Sequence, residues 1–191
     1  MYGLVGGLLG AKLLYVFEHL GDSSFWSLFL DRGGMSWFGG FVGGLTAGFL
    51  TIRAKKWPLI AVLAAATPAL AIGQALGRIG CFLVGDDYGR PTTLPWGVAF
   101  PKGLPPTYER VHPTQIYEAI FLTLLTWLLI RWRRRGVADR KVLGRYFLLA
   151  GAFRFLLEFV RVNVRVLGPF TVAHIFALLV VVLGVSILRR A

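Results

Sequence analysis

The chain has 191 residues, of which 56% are hydrophobic and 16% charged, and its formal net charge is +12. Soluble domains carry about 25% charged residues, so this composition excludes that class and predicts an integral membrane protein. The positive charge does not indicate nucleic-acid binding, because most cations stand in short blocks beside apolar runs.

Apolar runs of about 20 residues, the length at which a helix crosses a bilayer, recur from end to end of the chain. Six spans are predicted, at residues 2–20, 35–53, 58–81, 113–132, 142–162 and 170–188. Each must be helical, because backbone groups in lipid have to be bonded within their own segment. We therefore predict an all-α membrane protein, one domain over residues 1–191 that forms a bundle of six transmembrane helices.

The first two spans are rich in glycine at helical spacing, which predicts close packing of two helices through small residues. The glycines that share a face are Gly3, Gly7 and Gly10 in the first span and Gly40, Gly44 and Gly48 in the second. Between these spans, residues 21–31 carry possible caps at Ser23 and Ser24 and an aromatic face. This pattern predicts that the segment forms a short helix in the outer interface of the membrane.

The longest connection, at residues 84–112, contains Pro91, Pro95, Pro101, Pro105 and Pro106. Long loops are usually functional or disordered, and the aromatic residues of this one argue against disorder. We predict an ordered cap on the outer membrane surface.

Clusters of lysine and arginine predict the orientation, since cytoplasmic loops carry the excess of these residues. The largest cluster lies between the fourth and fifth spans, and smaller ones follow the second span and end the chain. This pattern predicts that both termini are cytoplasmic and that the loop at residues 84–112 is outside.

Ionisable groups within the predicted spans are costly in lipid, so each is expected to have a partner or a role. Arg154 and Glu158 are four residues apart, so they share a helix face and can pair. Two arginines from different spans, Arg78 and Arg154, predict an anion site in the outer half, because guanidinium matches phosphate. The anion available at that depth is a lipid phosphate. A buried ion-pair network that only orders the bundle is the alternative for Glu118 and Glu158.

We predict no catalytic or binding role for Cys81, Lys12 or His174. The single cysteine, Cys81, excludes an internal disulfide and a CxxC motif, and the three histidines lack metal-ligand spacing. We expect no metal and no cofactor. Lys12 is expected to snorkel towards the membrane surface, and His174 to be structural or interfacial.

Five sequence blocks resemble those of the prolipoprotein diacylglyceryl transferases and occur in the same order. They are GAKLLYV at residues 10–16, GGMSWFGGFVGG at 33–44, GRIGCFLVGDDYGRP at 77–91, VHPTQIYE at 111–118 and GAFRFLLEFVR at 151–161. Order and spacing together make the resemblance specific, and it covers nearly the whole chain.

This resemblance implies an enzyme of the bacterial cytoplasmic (inner) membrane with a site reached laterally from the bilayer. It would move diacylglyceryl from phosphatidylglycerol to the lipobox cysteine thiol of a preprolipoprotein and release glycerol phosphate, without a cofactor. Its partners would be that lipid and the lipobox signal peptide. One alternative is a paralogue with the same donor and another acceptor, and another is a non-catalytic lipid-binding protein.

The resemblance also implies the site residues. Those with a catalytic role are Arg78, Arg154, His112 and Asp86, and those that bind substrate are Gln115, Tyr117, Glu118, Glu158 and Gly80.

The sequence departs from the family pattern at several places. Phe38 stands where the family has an imidazole often considered catalytic, Cys81 where it commonly has Asn, and Asp86 where it more often has Glu. The usual first span, with its tyrosine, is absent, which leaves six spans where the family has seven. Deprotonation of the acceptor thiol then depends on another group, and His112 and Asp86 are the candidates, with no protein base as the third alternative.

Overall fold

The computed structural model describes residues 1–21, 23–31 and 33–191, without the side chains of Trp37 and Leu167. Asp22, within the predicted outer segment at residues 21–31, and Arg32, which follows that segment, lie outside the described residues. Helices make up 67% of the described residues. They are α1 (Tyr2–Glu18), α2 (Phe25–Leu30), α3 (Trp37–Ala54), α4 (Leu59–Val84), α5 (Thr114–Arg134), α6 (Asp139–Glu158) and α7 (Val172–Arg189).

The prediction of a helical protein is right, and each predicted span corresponds to one long helix. Within the described part of the chain, two helices are long and apolar enough to cross a membrane: α4, with mean hydropathy 1.9, and α7, with 2.4. The chain divides into two compact units, Met1–Val62 and Leu63–Ala191.

The part of the chain that the structure describes also contains four short strands, which the sequence analysis did not predict. They are β1 (Val98–Phe100), β2 (Thr107–Val111), β3 (Arg165–Leu167) and β4 (Phe170–Thr171). Strands β1 and β2 pair antiparallel, as do β3 and β4. Both pairs lie in connections between helices, where helical periodicity carries no information about pairing.

Glycines hold α1 against α3 in the first unit. A Cβ atom on Gly10 would lie 2.3 Å from the carbonyl oxygen of Gly39, and one on Gly43 would lie 2.4 Å from that of Gly6. The predicted close packing is therefore present, but the tightest contacts lie at Gly6, Gly10, Gly39 and Gly43. Both helices carry glycine on two adjacent faces, so the sequence pattern alone left the choice of face ambiguous.

The glycine contact predicts a large difference between two alanine substitutions. Gly10→Ala would drive a methyl group into the backbone of Gly39, and overpacking of this kind costs about 1–3 kcal/mol. Gly48→Ala is the matched control, because a Cβ there meets nothing within 4 Å and alanine is the better helix former. Thermal unfolding in detergent should show a lower midpoint for Gly10→Ala alone. Equal midpoints would contradict the packing.

Lys12 is buried rather than extended to the membrane surface, which corrects the expectation that it snorkels. It is 8% exposed, and its Nζ donates to the carbonyl oxygens of Asp31 (2.6 Å), Gly33 (3.0 Å) and Gly34 (3.3 Å). An ammonium group has three donors, so these carbonyls satisfy all of them. Lys12 thus fixes the connection between α2 and α3.

The predicted helix of the outer segment is confirmed as α2, with Ser24 at its N-cap. Ser24 therefore occupies a predicted cap position, but its side chain makes no capping hydrogen bond. Trp26 and Leu30 are exposed, and Leu28 is buried.

The segment between α4 and α5 is ordered, as predicted. Isolated bridges join Gly89 to Arg161 and Pro91 to Val111, and the amide of Arg90 donates to the carbonyl oxygen of Val160 at 2.8 Å. The cap is therefore bonded to the chain just beyond α6.

Helices α5, α6 and α7 pack through aromatic and small residues. The rings of Phe121 and Phe153 stack with centroids 3.9 Å apart, and a Cβ on Gly184 would lie 2.5 Å from the amide nitrogen of Leu148. These contacts hold the C-terminal half of α6, which carries Arg154 and Glu158.

Candidate functional site

An alternating series of charged side chains lies in the unit Leu63–Ala191. Arg78, near the end of α4, pairs through Nη1 with Asp87 Oδ2 and through Nε with Glu118 Oε2, both at 2.8 Å. Glu118 lies one turn into α5 and its side chain is 3% exposed. Arg78 therefore connects α4, the cap and α5.

The series continues on α6. Arg154 Nη1 lies 2.6 Å from Glu158 Oε2, which confirms the predicted pairing on one helix face. Arg161 Nε lies 3.8 Å from the same oxygen, and Arg161 Nη2 lies 2.7 Å from Asp87 Oδ1. Asp87 thus bridges Arg78 and Arg161, and joins the two halves of the series. We call the six residues Arg78, Asp87, Glu118, Arg154, Glu158 and Arg161 the ion-pair network.

Asp87, and not its neighbour Asp86, belongs to the ion-pair network. Burial alone would raise the pKa of Asp87, but the hydrogen bond from Arg78 and the charge of Arg161 hold it below its ordinary value of 3.8. Asp87 adopts the left-handed conformation, with φ of 58°. The direction of the two adjacent carboxylates depends on this turn, which the Asp–Asp pair alone does not specify.

The side chain of Asp86 makes different contacts. Its Oδ1 is buried without a hydrogen-bond partner among the described residues, and its carboxylate lies within 4.8 Å of Cys81 Sγ. Its carbonyl oxygen accepts from Nε2 of the fully buried Gln115 at 2.5 Å, and Thr114 Oγ1 donates to the carbonyl oxygen of Asp87 at 2.9 Å. Two residues at the start of α5 therefore fix the backbone of the Asp86–Asp87 turn.

A cavity of about 240 Å³ adjoins the ion-pair network. Its polar lining consists of Gln74, Glu118 and Arg154, and Gln74 Nε2 donates to Glu118 Oε1 at 3.2 Å. Its apolar lining includes Phe121, Leu122, Phe153, Phe176, Ala177 and Val180. Glu118 is paired with Arg78, which leaves Arg154 as the cation of the lining. With apolar side chains around this cation, the cavity suits an amphiphile that carries an anion.

The arginines have donors to spare for such an anion. Each guanidinium carries five N–H donors, and the contacts above engage only some of those on Arg78 and Arg154. The network holds three arginines and three carboxylates, so its formal charges cancel. This balance permits burial, and it also agrees with the structural role that the sequence analysis kept as the alternative for Glu118 and Glu158.

His112 and Tyr117 lie in a second cluster. Tyr117 Oη accepts from Trp96 Nε1 at 2.8 Å and lies 3.2 Å from His112 Nδ1. Among the described residues, the contacts of this cluster do not include a member of the ion-pair network. The structure therefore separates the predicted site residues into two groups.

Two further positions named from the sequence, Gly80 and Phe38, lie on α4 and α3. A Cβ on Gly80 would meet nothing within 4 Å. Phe38 is on α3, in the unit Met1–Val62, and its side chain is 68% exposed.

Sequence reasoning missed the residues that surround Glu158. Its Oε1 accepts from Asn163 Nδ2 at 2.5 Å and from Thr171 Oγ1 at 2.7 Å. Thr171 and His174 are the first and fourth residues of a T-x-x-H sequence before an apolar run, a spacing like that of a capping box. This spacing is the sequence signal from which a capping pair at these two positions could have been predicted.

Comparison with known proteins gives a consistent result. A family model described as prolipoprotein diacylglyceryl transferase matches residues 1–190. The chain is similar to proteins named phosphatidylglycerol–prolipoprotein diacylglyceryl transferase from several bacteria. That of Clostridium tetani is 33% identical over 97% of this chain and 76% of its own length. That of Idiomarina loihiensis is 33% identical over 98% and 71%, and that of Pseudoalteromonas translucida 32% over 98% and 72%. No solved structure gives a significant match.

Proposed function

Because this chain belongs to the prolipoprotein diacylglyceryl transferase family, we propose that it transfers diacylglyceryl from phosphatidylglycerol to the lipobox cysteine thiol of a preprolipoprotein. Glycerol phosphate is the other product. The family match confirms the resemblance and the prediction of a transferase. The observation that carries the substrate proposal is the cavity with Glu118 and Arg154 at its polar wall and apolar side chains around the rest.

In the proposed reaction, the acceptor sulfur forms a bond to the glyceryl carbon that carries the phosphate ester. The bond between this carbon and the phosphate oxygen breaks, and its electron pair stays on the oxygen of the departing glycerol phosphate. The thiol proton passes to a base. Charge grows on the leaving phosphate, where preorganised donors lower the barrier most effectively.

Arg78 and Arg154 are the proposed donors to that phosphate. Glu118 and Glu158 hold the two guanidiniums at 2.8 and 2.6 Å, which fixes their direction before the lipid enters. Gln115 is proposed to act through the Asp86–Asp87 turn, and Tyr117 and Gly80 to contact substrate. Apolar side chains of the cavity are proposed to contact the lipid's glyceryl and acyl parts.

The direct test is incubation of the purified protein with labelled phosphatidylglycerol and a lipobox peptide. We expect lipidated peptide and glycerol phosphate in equal amounts. A lipobox peptide with serine in place of cysteine is the control and should give neither product. Glycerol phosphate without lipidated peptide would indicate a different acceptor. Bound lipid without either product would indicate a lipid-binding protein and contradict the proposal.

We propose His112 as the base that accepts the thiol proton, because imidazole is the commonest side chain in this role. His112→Gln should lower the transfer rate by about 100-fold, the lower part of the range for a general base. The KM for phosphatidylglycerol should change little, since Arg78 and Arg154 remain. Asp86→Asn tests the rival base in parallel. A large loss for Asp86→Asn, with His112→Gln near the wild-type rate, would reverse the assignment.

We also propose that the chain crosses the inner membrane six times with both termini cytoplasmic, on the basis of the cation clusters and apolar runs. Thr93 and Ala138 are both exposed and lie in connections assigned to opposite sides. In a Cys81→Ala background, an impermeant thiol reagent added to intact cells should label Thr93→Cys and not Ala138→Cys. Labelling in the reverse pattern would overturn the orientation.

A further inference from the structure

The start of α7 contacts the side chain of Glu158. Thr171 is its N-cap residue, and together with His174 it forms a reciprocal capping box. The His174 amide donates to Thr171 Oγ1 at 3.4 Å, and the Thr171 amide donates to His174 Nδ1 at 3.1 Å. Both side chains are buried, with Thr171 5% and His174 2% exposed.

The hydrogen-bond directions in this box follow from the chemistry of its members. Glu158, paired with arginine, can only accept, so the single hydroxyl proton of Thr171 is directed to Glu158 Oε1, 2.7 Å away. His174 Nδ1 accepts from the Thr171 amide and is therefore unprotonated. The proton of the neutral imidazole is then on Nε2, a tautomer assigned from the hydrogen-bond network.

The imidazole is held in an apolar enclosure. Its ring lies 5.0 Å from that of Phe155, 4.5 Å from that of Phe159 and 5.4 Å from that of Phe170. Its Nε2 is buried without a hydrogen-bond partner in the part of the chain that the structure describes. A buried polar atom left in this way is unfavourable and calls for an explanation beyond helix capping.

We propose that Thr171 and His174 are positioning residues for the transfer reaction, because their capping box fixes the Glu158 carboxylate and, through it, the guanidinium of Arg154. His174 holds the backbone of Thr171, Thr171 holds Oε1 of Glu158, and Oε2 of Glu158 holds Arg154 Nη1 at 2.6 Å. The inference rests on the proposed function in one respect, that Arg154 contacts the lipid phosphate.

Removal of the Thr171 hydroxyl is expected to change the direction of the Glu158 carboxylate rather than to break its ion pairs. Glu158 Oε1 also accepts from Asn163, so the carboxylate stays bonded, but its orientation is less tightly fixed. Catalytic groups displaced by about 1 Å can lose about 100-fold in rate. The effect should therefore appear mainly in kcat.

The test compares substitutions that keep or remove each hydrogen bond. Thr171→Val removes the hydroxyl at nearly constant volume and should lower kcat by about 10- to 100-fold, with a smaller, several-fold rise in KM for phosphatidylglycerol. Thr171→Ser keeps the hydroxyl and should recover most of the rate. His174→Leu should lose rate, and His174→Gln should recover it, since glutamine can complete a capping box.

Thr126→Val is the matched control. Thr126 is also buried, at 8% exposure, and its hydroxyl donates to the carbonyl oxygen of Leu122 on its own helix. Rates are compared per folded molecule, below the unfolding midpoint of every variant. Equal rates for Thr171→Val and Thr126→Val would overturn the proposal, and so would a loss at Thr171 that follows only the folded fraction. If His174→Leu does not fold, the two Thr171 variants decide alone.

Affinity for vesicles of phosphatidylglycerol separates this proposal from the proposed function. If the wild-type protein binds these vesicles but transfers nothing, the transfer function fails. The positioning role is then judged on affinity, which Thr171→Val should weaken several-fold and Thr171→Ser should restore. If the wild-type protein transfers and the Thr171 and His174 variants do not differ from it, only the positioning role fails.

Discussion

Replacement of Arg154 or Arg78 by alanine is expected to lower diacylglyceryl transfer by 100-fold or more in a folded protein. Removal of one preorganised donor to a developing oxyanion costs about 3 kcal/mol in other enzymes, which corresponds to a factor of about 100. Each substitution also leaves a buried carboxylate, Glu158 or Glu118, without the arginine that balances it. Affinity for phosphatidylglycerol should fall at the same time, because the proposed contacts of the arginines with the phosphate are made in the ground state as well.

Lysine substitutions refine this prediction. Arg154→Lys keeps the charge but loses the planar fork that can bond phosphate and carboxylate together, so only partial recovery is expected. Arg133→Ala is the control, since Arg133 pairs with the exposed Asp139 at 3.5 Å. Arg133 lies at the C-terminal end of α5, whereas Glu118 lies near its N-terminal end. Near-normal transfer by both Arg78→Ala and Arg154→Ala would rule out the anion site and leave the structural network as the explanation.

Replacement of Glu158 by glutamine is expected to cause a large loss of stability. Its carboxylate is fully buried and faces Arg154 at 2.6 Å and Arg161 at 3.8 Å. Loss of one partner from a buried ion pair costs about 3–5 kcal/mol, because the remaining charge is left in a medium that solvates it poorly. The midpoint of thermal unfolding in detergent should fall accordingly.

Asp139→Asn provides a like-for-like comparison, because it makes the same carboxylate-to-amide change in an exposed pair. The Asp139 side chain is 44% exposed, and exposed pairs contribute about 0–1 kcal/mol. A clear difference between the two midpoints is expected. If Glu158→Gln and Asp139→Asn unfold at the same temperature, the buried pair contributes nothing beyond a surface pair, and the network cannot be what holds Arg154 in place.

The sequence was sufficient wherever the relevant residues are close together in the chain. Composition and apolar runs predicted a helical membrane protein, and the order of five blocks predicted the family. The pairing of Arg154 with Glu158 followed from their spacing, because an α-helix places residues four apart on one face. Local periodicity also predicted α2.

Contacts between distant segments were decided by the tertiary structure. The Asp86–Asp87 pair offered two adjacent carboxylates, and the left-handed turn at Asp87 directs that residue to Arg78 and Arg161. Arg161 is 74 residues further along the chain. No local pattern relates these positions, because their approach depends on how the cap bonds to the end of α6.

For the same reason, the sequence did not predict the tightest contacts between α1 and α3 or the residues that hold Glu158. Glycines on two adjacent faces of α1 and α3 lie at the contact, and packing places the tightest approach at Gly6, Gly10, Gly39 and Gly43. In the sequence, His174 is an ordinary residue near the start of a helix. Only the tertiary structure places its partner Thr171 against Glu158. The sequence therefore determined the class, the family and the groups that sit on one helix face. The tertiary structure decided which buried charges meet, since a charge withdrawn from water is stable only beside partners that loop closure brings to it.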